Sequence, residues 1–133
     1  MAAPVPSSSS QETTVKSEQL SFRPGFRLSV GNDRSQAAVM VLPSGGKEGG
    51  PDNCHRGADQ WLFVVEGTGT AIINGHKTIL KSGKIVLIEA GDRHEIRNTG
   101  RSLLKTVSVY TPPAYRDEET ELPAGAASRD AAR

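Results

Sequence analysis

Between Ala37 and Thr111 short apolar runs alternate with clusters of turn residues, and no stretch holds a helical period. Ala37 to Leu42 is an apolar run closed by Pro43, and a Gly, Ser and Pro-rich stretch from Pro43 to about Ala58 reads as a loop. Gln60 to Val65 is a second run, stopped by Gly67 and Gly69. Thr70 to Ile73 leads into Asn74-Gly75, and a further strand follows through Ile79 and Leu80. Asn-Gly between two such runs predicts a two-residue hairpin, because both central residues of a type I′ turn need positive φ. Lys81-Ser82-Gly83 is another turn, and Ile85 to Ile88 the next strand. Arg93 to Arg97 forms a short strand ending at Asn98-Thr99-Gly100, and Leu103 to Thr111 is the last, closed by Pro112-Pro113. β-Branched residues dominate these runs. Many short strands separated by glycine turns predict an all-β sandwich or barrel.

The flanks read differently. Residues 1–20 are Ala, Pro, Ser, Thr and Gln with scattered charges, too poor in apolar groups to offset their ordering entropy, so a disordered tail is expected. Residues 117–133 are charged and then Ala-rich, and are expected to be loose. The domain proper is placed at 21–116, one modest core. The full chain has 133 residues with 16 Lys plus Arg against 15 Asp plus Glu. That balance offers no basic field for nucleic acid or an anionic membrane. Apolar runs of this length cannot span a bilayer as helices. Residues 1–19 lack the charged-then-apolar order of a secretory signal, and the single cysteine, Cys54, cannot form an intrachain disulfide. A cytoplasmic location is expected.

If Gln60 points inward, strand alternation takes Leu62 and Val64 inward with it and turns Trp61 and Phe63 outward; His94 likewise takes Ile96. Asp59 should point opposite to Gln60. Thr106, Ser108 and Tyr110 share one strand face, which either lines a pocket beside His94 or faces solvent. His76 adjoins the Asn-Gly turn and should be exposed. Asn98 reads as a turn-capping amide. Cys54 beside His55 has no third orienting group, and adjacent residues on an extended chain point apart, so a nucleophile–base pair carries little weight.

Several of these residues also fall at fixed spacings. Gly83-x5-Glu89-x-Gly91-x2-His94-x3-Asn98 resembles the second motif of the cupins, G-x5-P-x-G-x2-H-x3-N, with Glu89 at the proline position. The first motif, G-x5-H-x-H-x3/4-E-x6-G, is matched at His55 for the second histidine and at Gly67 for the closing glycine. Gln60 stands at its glutamate and Asn53 at its first histidine, and its opening glycine is missing. Asp59-Gln60 and Tyr110-x-Pro-Pro are further similar to short bacterial cupins described as mannose-6-phosphate-isomerase-like. The resemblance covers about Ala37 to Pro113. It implies a double-stranded β-helix, a small jelly-roll barrel, with a divalent transition metal (Fe, Mn, Ni, Cu or Zn) in its mouth. The ligand positions it implies are His55, Gln60 and His94, with Asn53 as a further candidate. Gln60 serves either as a metal ligand or as a hydrogen-bond donor to substrate. Imidazole suits such metals, but two neutral amides leave the site without a charge to balance a cation. The resemblance also implies a small-molecule ligand, a sugar or a carboxylate, and a homodimer with sheets extended across subunits. Three functions stay open: a metal-dependent isomerase or dioxygenase, a non-catalytic and even metal-free binding module, and an interaction protein that has lost its site.

Overall fold

A computed structural model describes residues 15–54, 57–118 and 120–122, with the side chains of 51–54 outside the description. Eleven strands follow in order among these residues: β1 (Gly25–Gly31), β2 (Gln36–Leu42), β3 (Lys47–Cys54), β4 (Asp59–Glu66), β5 (Thr68–Ile73), β6 (His76–Lys81), β7 (Ile85–Ile88), β8 (Arg93–Asn98), β9 (Leu104–Thr111), β10 (Tyr115–Asp117) and β11 (Thr120–Glu121). They form an antiparallel five-stranded sheet, β1-β2-β9-β4-β7, a four-stranded sheet, β3-β8-β5-β6, and the small pair β10-β11. The all-β expectation and the strands from Ala37 to Thr111 stand. Ile73 pairs with His76 across Asn74 and Gly75, whose φ values of 50° and 85° are those the Asn-Gly turn requires.

The two large sheets face each other over one core. Met40, Leu42, Leu62, Val64, Ile88 and Leu104 from the first sheet meet Ala71, Leu80 and Ile96 from the second. Alternation on β4 follows the sequence pattern: Gln60, Leu62 and Val64 are buried, while Trp61 and Phe63 are 45% and 42% exposed. A smaller cluster of Ala38, Ala58, Tyr110 and Ala114, flanked by Phe26, Leu28 and Tyr115, fills one end. At the other end Asn98 acts as the expected turn amide. Its Nδ2 donates to the carbonyls of Leu42 (2.8 Å) and Ser102 (2.9 Å), and its Oδ1 accepts from the Gly100 amide (2.9 Å).

Three segments differ from the sequence expectation. The stretch from Pro43 to Ala58, expected as a loop, contains β3, whose pairing comes from β8 rather than from its own weak strand propensity. The Gly49 backbone lies so close to β8 that a Cβ there would meet the His94 carbonyl oxygen at 2.6 Å. Between Gly49 and Cys54 the register shifts, so five steps on β3 oppose two on β8. Strand β1 was not marked by the apolar pattern either, because Arg27 and Ser29 interrupt it; it forms by pairing with β2. The tails also carry order. Residues 15–24 run along β1, with the Lys16 ammonium donating to the Gly31 carbonyl (3.1 Å) and Arg27 donating to the carbonyls of Ser21 (2.9 Å) and Arg23 (2.6 Å). Asp117 pairs with Thr120, and Tyr115 with Glu121, in the β10-β11 hairpin. The remainder of both expected tails, 1–14 and 123–133, lies outside the described residues.

Candidate functional site

One end of the barrel is built around the turn that joins the two sheets. β7 ends at Ile88, the Cα partner of Gln60, and β8 begins at Arg93, so residues 89–92 carry the chain from the Gln60 sheet to the His94 sheet. Asp59, pointing opposite to Gln60, accepts the Ala90 amide on Oδ1 (2.8 Å). Asp92 accepts the Glu89 amide on Oδ2 (2.9 Å) and the Asn74 side-chain amide on Oδ1 (2.9 Å). Asn74 returns the connection, its Oδ1 accepting from the Arg93 amide (3.0 Å) and its own amide donating to the Arg93 carbonyl (2.8 Å). The β4 start, the β5–β6 turn and the β7–β8 turn are thereby tied together, and His94 stands one residue beyond the knot. Sequence reasoning had not singled out Asn74 and Asp92 for this; an Asn in a turn and an Asp before a strand are their only signals.

The polar side chains that face inward here come from both sheets. Gln60 and His94 are each 4% exposed. The Gln60 amide donates from Nε2 to the Ser108 hydroxyl (3.0 Å), which turns its amide oxygen to the other side. His94 Nδ1 lies 3.4 Å from the Asp92 carbonyl, a long contact that favours the proton on Nδ1 and the lone pair on Nε2. Thr106, Ser108 and Tyr110 are all buried on the inner face of β9, so the alternative of a solvent-facing row does not hold. The Thr106 hydroxyl donates to the Met40 carbonyl (2.8 Å), and Ser108 serves Gln60. Tyr110 is the Cα partner of Gln60 and stacks edge-on with Tyr115, ring centroids 5.3 Å apart; Tyr115 in turn packs on Phe26 at 5.0 Å. Gln36 holds Tyr115 in place by accepting its amide (3.0 Å) and donating to its carbonyl (2.8 Å). Burial above all pushes the Tyr115 hydroxyl up to about 12, and the same cause raises Tyr110 well above the usual tyrosine range; the charges of Glu48 and Glu121 add to both.

Glu48 and Tyr115 escaped the sequence reading. Glu48 sits on β3 opposite Ile96, a fully buried core residue, so it occupies the inner-face register. Nothing in its Gly-rich surroundings signalled a strand, hence nothing signalled a facing. Glu48 is nevertheless exposed, whereas Glu95, on the outer register, is buried: its Oε2 lies 3.2 Å from Arg97 Nε and 3.5 Å from Lys47 Nζ. The Arg97 hydrogen bond, with the charges of Arg97 and Lys47, holds its carboxyl below the usual range against the opposing effect of burial. A depression of about 390 Å³ opens at this end, lined by Gly50, Ile72, Asn74, Gly75, Arg93, His94 and Glu95.

Of the four expected metal positions, the structure places Gln60 and His94 at this one end. His55 lies outside the described residues, as does the side chain of Asn53. Among the described residues no three His, Cys, Asp or Glu side chains are grouped to hold a metal ion. His76 is exposed beside its turn, as expected.

The family profile described as Cupin domain matches residues 38–110, more than half of the chain, from within β2 to within β9. The chain belongs to the cupin domain family. Among solved structures, BH2720 from Bacillus halodurans is 30% identical, with a TM-score of 0.65 over 80% of this chain and 84% of that one. A protein described as a predicted oxalate decarboxylase from Thermotoga maritima is 25% identical, with a TM-score of 0.60 over 65% and 78%. Tetracenomycin polyketide synthase protein TcmJ from Streptomyces glaucescens is 28% identical over 67 residues, which are 50% of this chain and 45% of TcmJ. The match thus spans about half the length of that curated relative. The resemblance read from the two motifs is therefore correct at the level of the family.

Proposed function

We propose that this cupin binds a small molecule at the Gln60–His94 end of its barrel, with a divalent metal held there. The observation that carries this is the burial of an amide and an imidazole, facing inward from opposite sheets and joined by a braced turn. Polar side chains converging from two sheets at one end of a barrel are the usual lining of a small-molecule site. His94 would ligate through Nε2 and Gln60 through its amide oxygen, with His55 and Asn53 completing the set. When bound, the metal supplies a Lewis acid that polarises a carbonyl or hydroxyl oxygen, or a site for dioxygen. The chain's own part is to orient the ligand, through Ser108-anchored Gln60 and the two tyrosines, and to keep His94 in one tautomer. A second reading, a metal-free binding module, is favoured by the donor chemistry: Asn53 and Gln60 bring no negative charge to the motif positions where the family has a histidine and a glutamate.

The test is elemental analysis of tag-free protein, wild type beside His94→Ala and Gln60→Ala, after exposure to Fe, Mn, Ni, Cu and Zn salts, with folding checked by circular dichroism. The metal reading expects near-stoichiometric metal in the wild type and its loss in folded His94→Ala. Metal-free wild type under every salt would leave only the second reading.

The assembly belongs to the same proposal. Trp61, Phe63, Ile85, Leu87 and Val109 form one exposed apolar strip on the outer face of the five-stranded sheet, running to its β7 edge. Such a strip on an open edge suits a second copy of the chain, in the cytoplasm, where a lone cysteine stays reduced. Sedimentation should show a dimer for the wild type and a monomer for Trp61→Glu. A wild type that stays monomeric at millimolar concentration would contradict it. Among the described residues no helix is long and apolar enough to cross a membrane.

A further inference from the structure

We propose that a second site lies on the outer face of the five-stranded sheet, under the N-terminal segment, and that it takes a free α-amino acid with an apolar side chain. It is separate from the Gln60–His94 end and does not depend on how that end is read.

A cavity of about 240 Å³ opens there. Its walls come from three parts of the chain. Glu18, Leu20, Ser21 and Arg23 belong to the segment that runs along β1, Arg27 and Ser29 to β1 with Val39 on β2, and Glu118 follows β10 directly. Val39 alternates with the inward Ala38 and Met40, and Arg27 is its Cα partner, so this cavity and the barrel core lie on opposite faces of one sheet. Its volume falls below the roughly 300–1,000 Å³ of sites for drug-sized ligands, and so suits a smaller molecule.

The lining carries two guanidinium and two carboxylate groups. Among the described residues no ion pair joins either arginine to either glutamate, although all four border one small space. Each is anchored separately instead. Arg27 donates to the carbonyls of Ser21 (2.9 Å) and Arg23 (2.6 Å), and Arg23 to the Ser21 hydroxyl (3.1 Å). Glu18 accepts from the Ser29 hydroxyl on Oε1, and Glu118 accepts the Leu28 amide on Oε2 (3.0 Å). Each carboxylate thus keeps its second oxygen, and each arginine its Nε–H, for another partner.

Opposite charges that border one cavity without neutralising each other are complementary to a molecule that carries both. An α-carboxylate accepts from guanidinium groups, and an α-ammonium donates to carboxylate oxygens. A simple anion gains from the arginines and loses to the glutamates, and a simple cation does the reverse; a zwitterion gains from both pairs. Leu20 and Val39 form the apolar wall against which its side chain would lie.

Three probes built on one carbon skeleton test this: L-leucine, 4-methylpentanoate, which lacks the amine, and 3-methylbutylamine, which lacks the carboxylate. Each is titrated into the full chain at neutral pH and followed by NMR at the Val39 methyl groups and the Leu28 and Ser29 amides. The proposal expects L-leucine to bind at least about tenfold more tightly than either fragment, the effect of one charge-assisted hydrogen bond. Arg23 and Glu118 are both exposed, so substitutions there leave the core intact. Glu118→Gln, whose amide oxygen can still accept the Leu28 amide, should weaken L-leucine and not 4-methylpentanoate. Arg23→Gln should weaken L-leucine and not 3-methylbutylamine. A fragment that binds the wild type as tightly as L-leucine overturns the proposal. So do variants that weaken all three probes equally or none, and resonances that stay unmoved at millimolar L-leucine.

Discussion

Gly67→Ala is expected to remove a large part of the stability of the fold. Gly67 joins β4 to β5 and so hands the chain from one sheet to the other. Its φ is +105°, a conformation that an L side chain rarely adopts. A Cβ built there would collide with the Leu103 carbonyl oxygen and lie 2.8 Å from the Leu104 Cα, both backbone atoms with no rotamer to yield. Strain of this kind and forced backbone displacement together should destabilise by about 3–5 kcal/mol, against a total of roughly 5–15 kcal/mol for a domain. Denaturant unfolding followed by Trp61 fluorescence measures it. Gly83→Ala provides the comparison: its φ of +92° carries similar strain, but no atom lies within 4 Å of the added carbon. A loss at Gly67 no greater than that at Gly83 would mean that the close approach contributes nothing.

Alkaline titration should show the second large effect. The chain has two tyrosines, Tyr110 and Tyr115, and both sit in the aromatic row at the proposed ligand site. With Tyr115 raised to about 12 and Tyr110 raised well above its ordinary value of 10, phenolate absorbance should stay flat through pH 10 in folded protein. The sign for stability follows. The unfolded chain releases these protons near pH 10 and the folded chain holds them, so the contribution is whole below pH 10 and is lost as pH rises toward 12 and beyond. Phenolate signal and loss of near-ultraviolet circular dichroism should therefore appear together. Full phenolate absorbance by pH 11 in a protein that remains folded would contradict the placement of Tyr110 in the core with Tyr115 half-buried beside it. Tyr115→Phe should leave half the signal, still above pH 10, because burial, the largest cause of the Tyr110 shift, is kept.

How much of this was legible in the sequence depends on where each segment's order comes from. Strands with their own apolar pattern, β2 and β4 through β9, can be read because alternation and the Asn74-Gly75 turn state their facing directly. β4 shows it best, since Gln60 inward fixes Trp61 outward with no reference to the rest of the chain. β1 and β3 have no such pattern. Arg27 and Ser29 interrupt one, and four glycines from Gly45 to Gly50 flank or fill the other, so both exist only because a neighbouring strand offers a ladder. The cost falls at the candidate site, because Glu48 lies on β3 and a residue taken for loop has no inside or outside. At the candidate site, His94 was legible through its spacing to Gly83, Gly91 and Asn98. Tyr115 was not, because its place depends on Gln36 grasping its backbone from 79 positions away in the chain. The brace made by Asp59, Asn74 and Asp92 is equally non-local, assembled from the start of β4 and two separate turns.

The central claim is that Gln60 and His94 face one ligand-binding space at a single end of the barrel. Paramagnetic mapping tests it most directly: substoichiometric Mn²⁺ is titrated into uniformly labelled protein, and the resonances that broaden first are assigned. The account predicts early broadening of the His94 ring and the Gln60 side-chain amide, followed by Ser108 and Tyr110, while Leu104 and Asn98 at the opposite end stay sharp. Broadening that begins at surface carboxylates such as Glu66 or Glu118, and leaves His94 and Gln60 sharp, would contradict it.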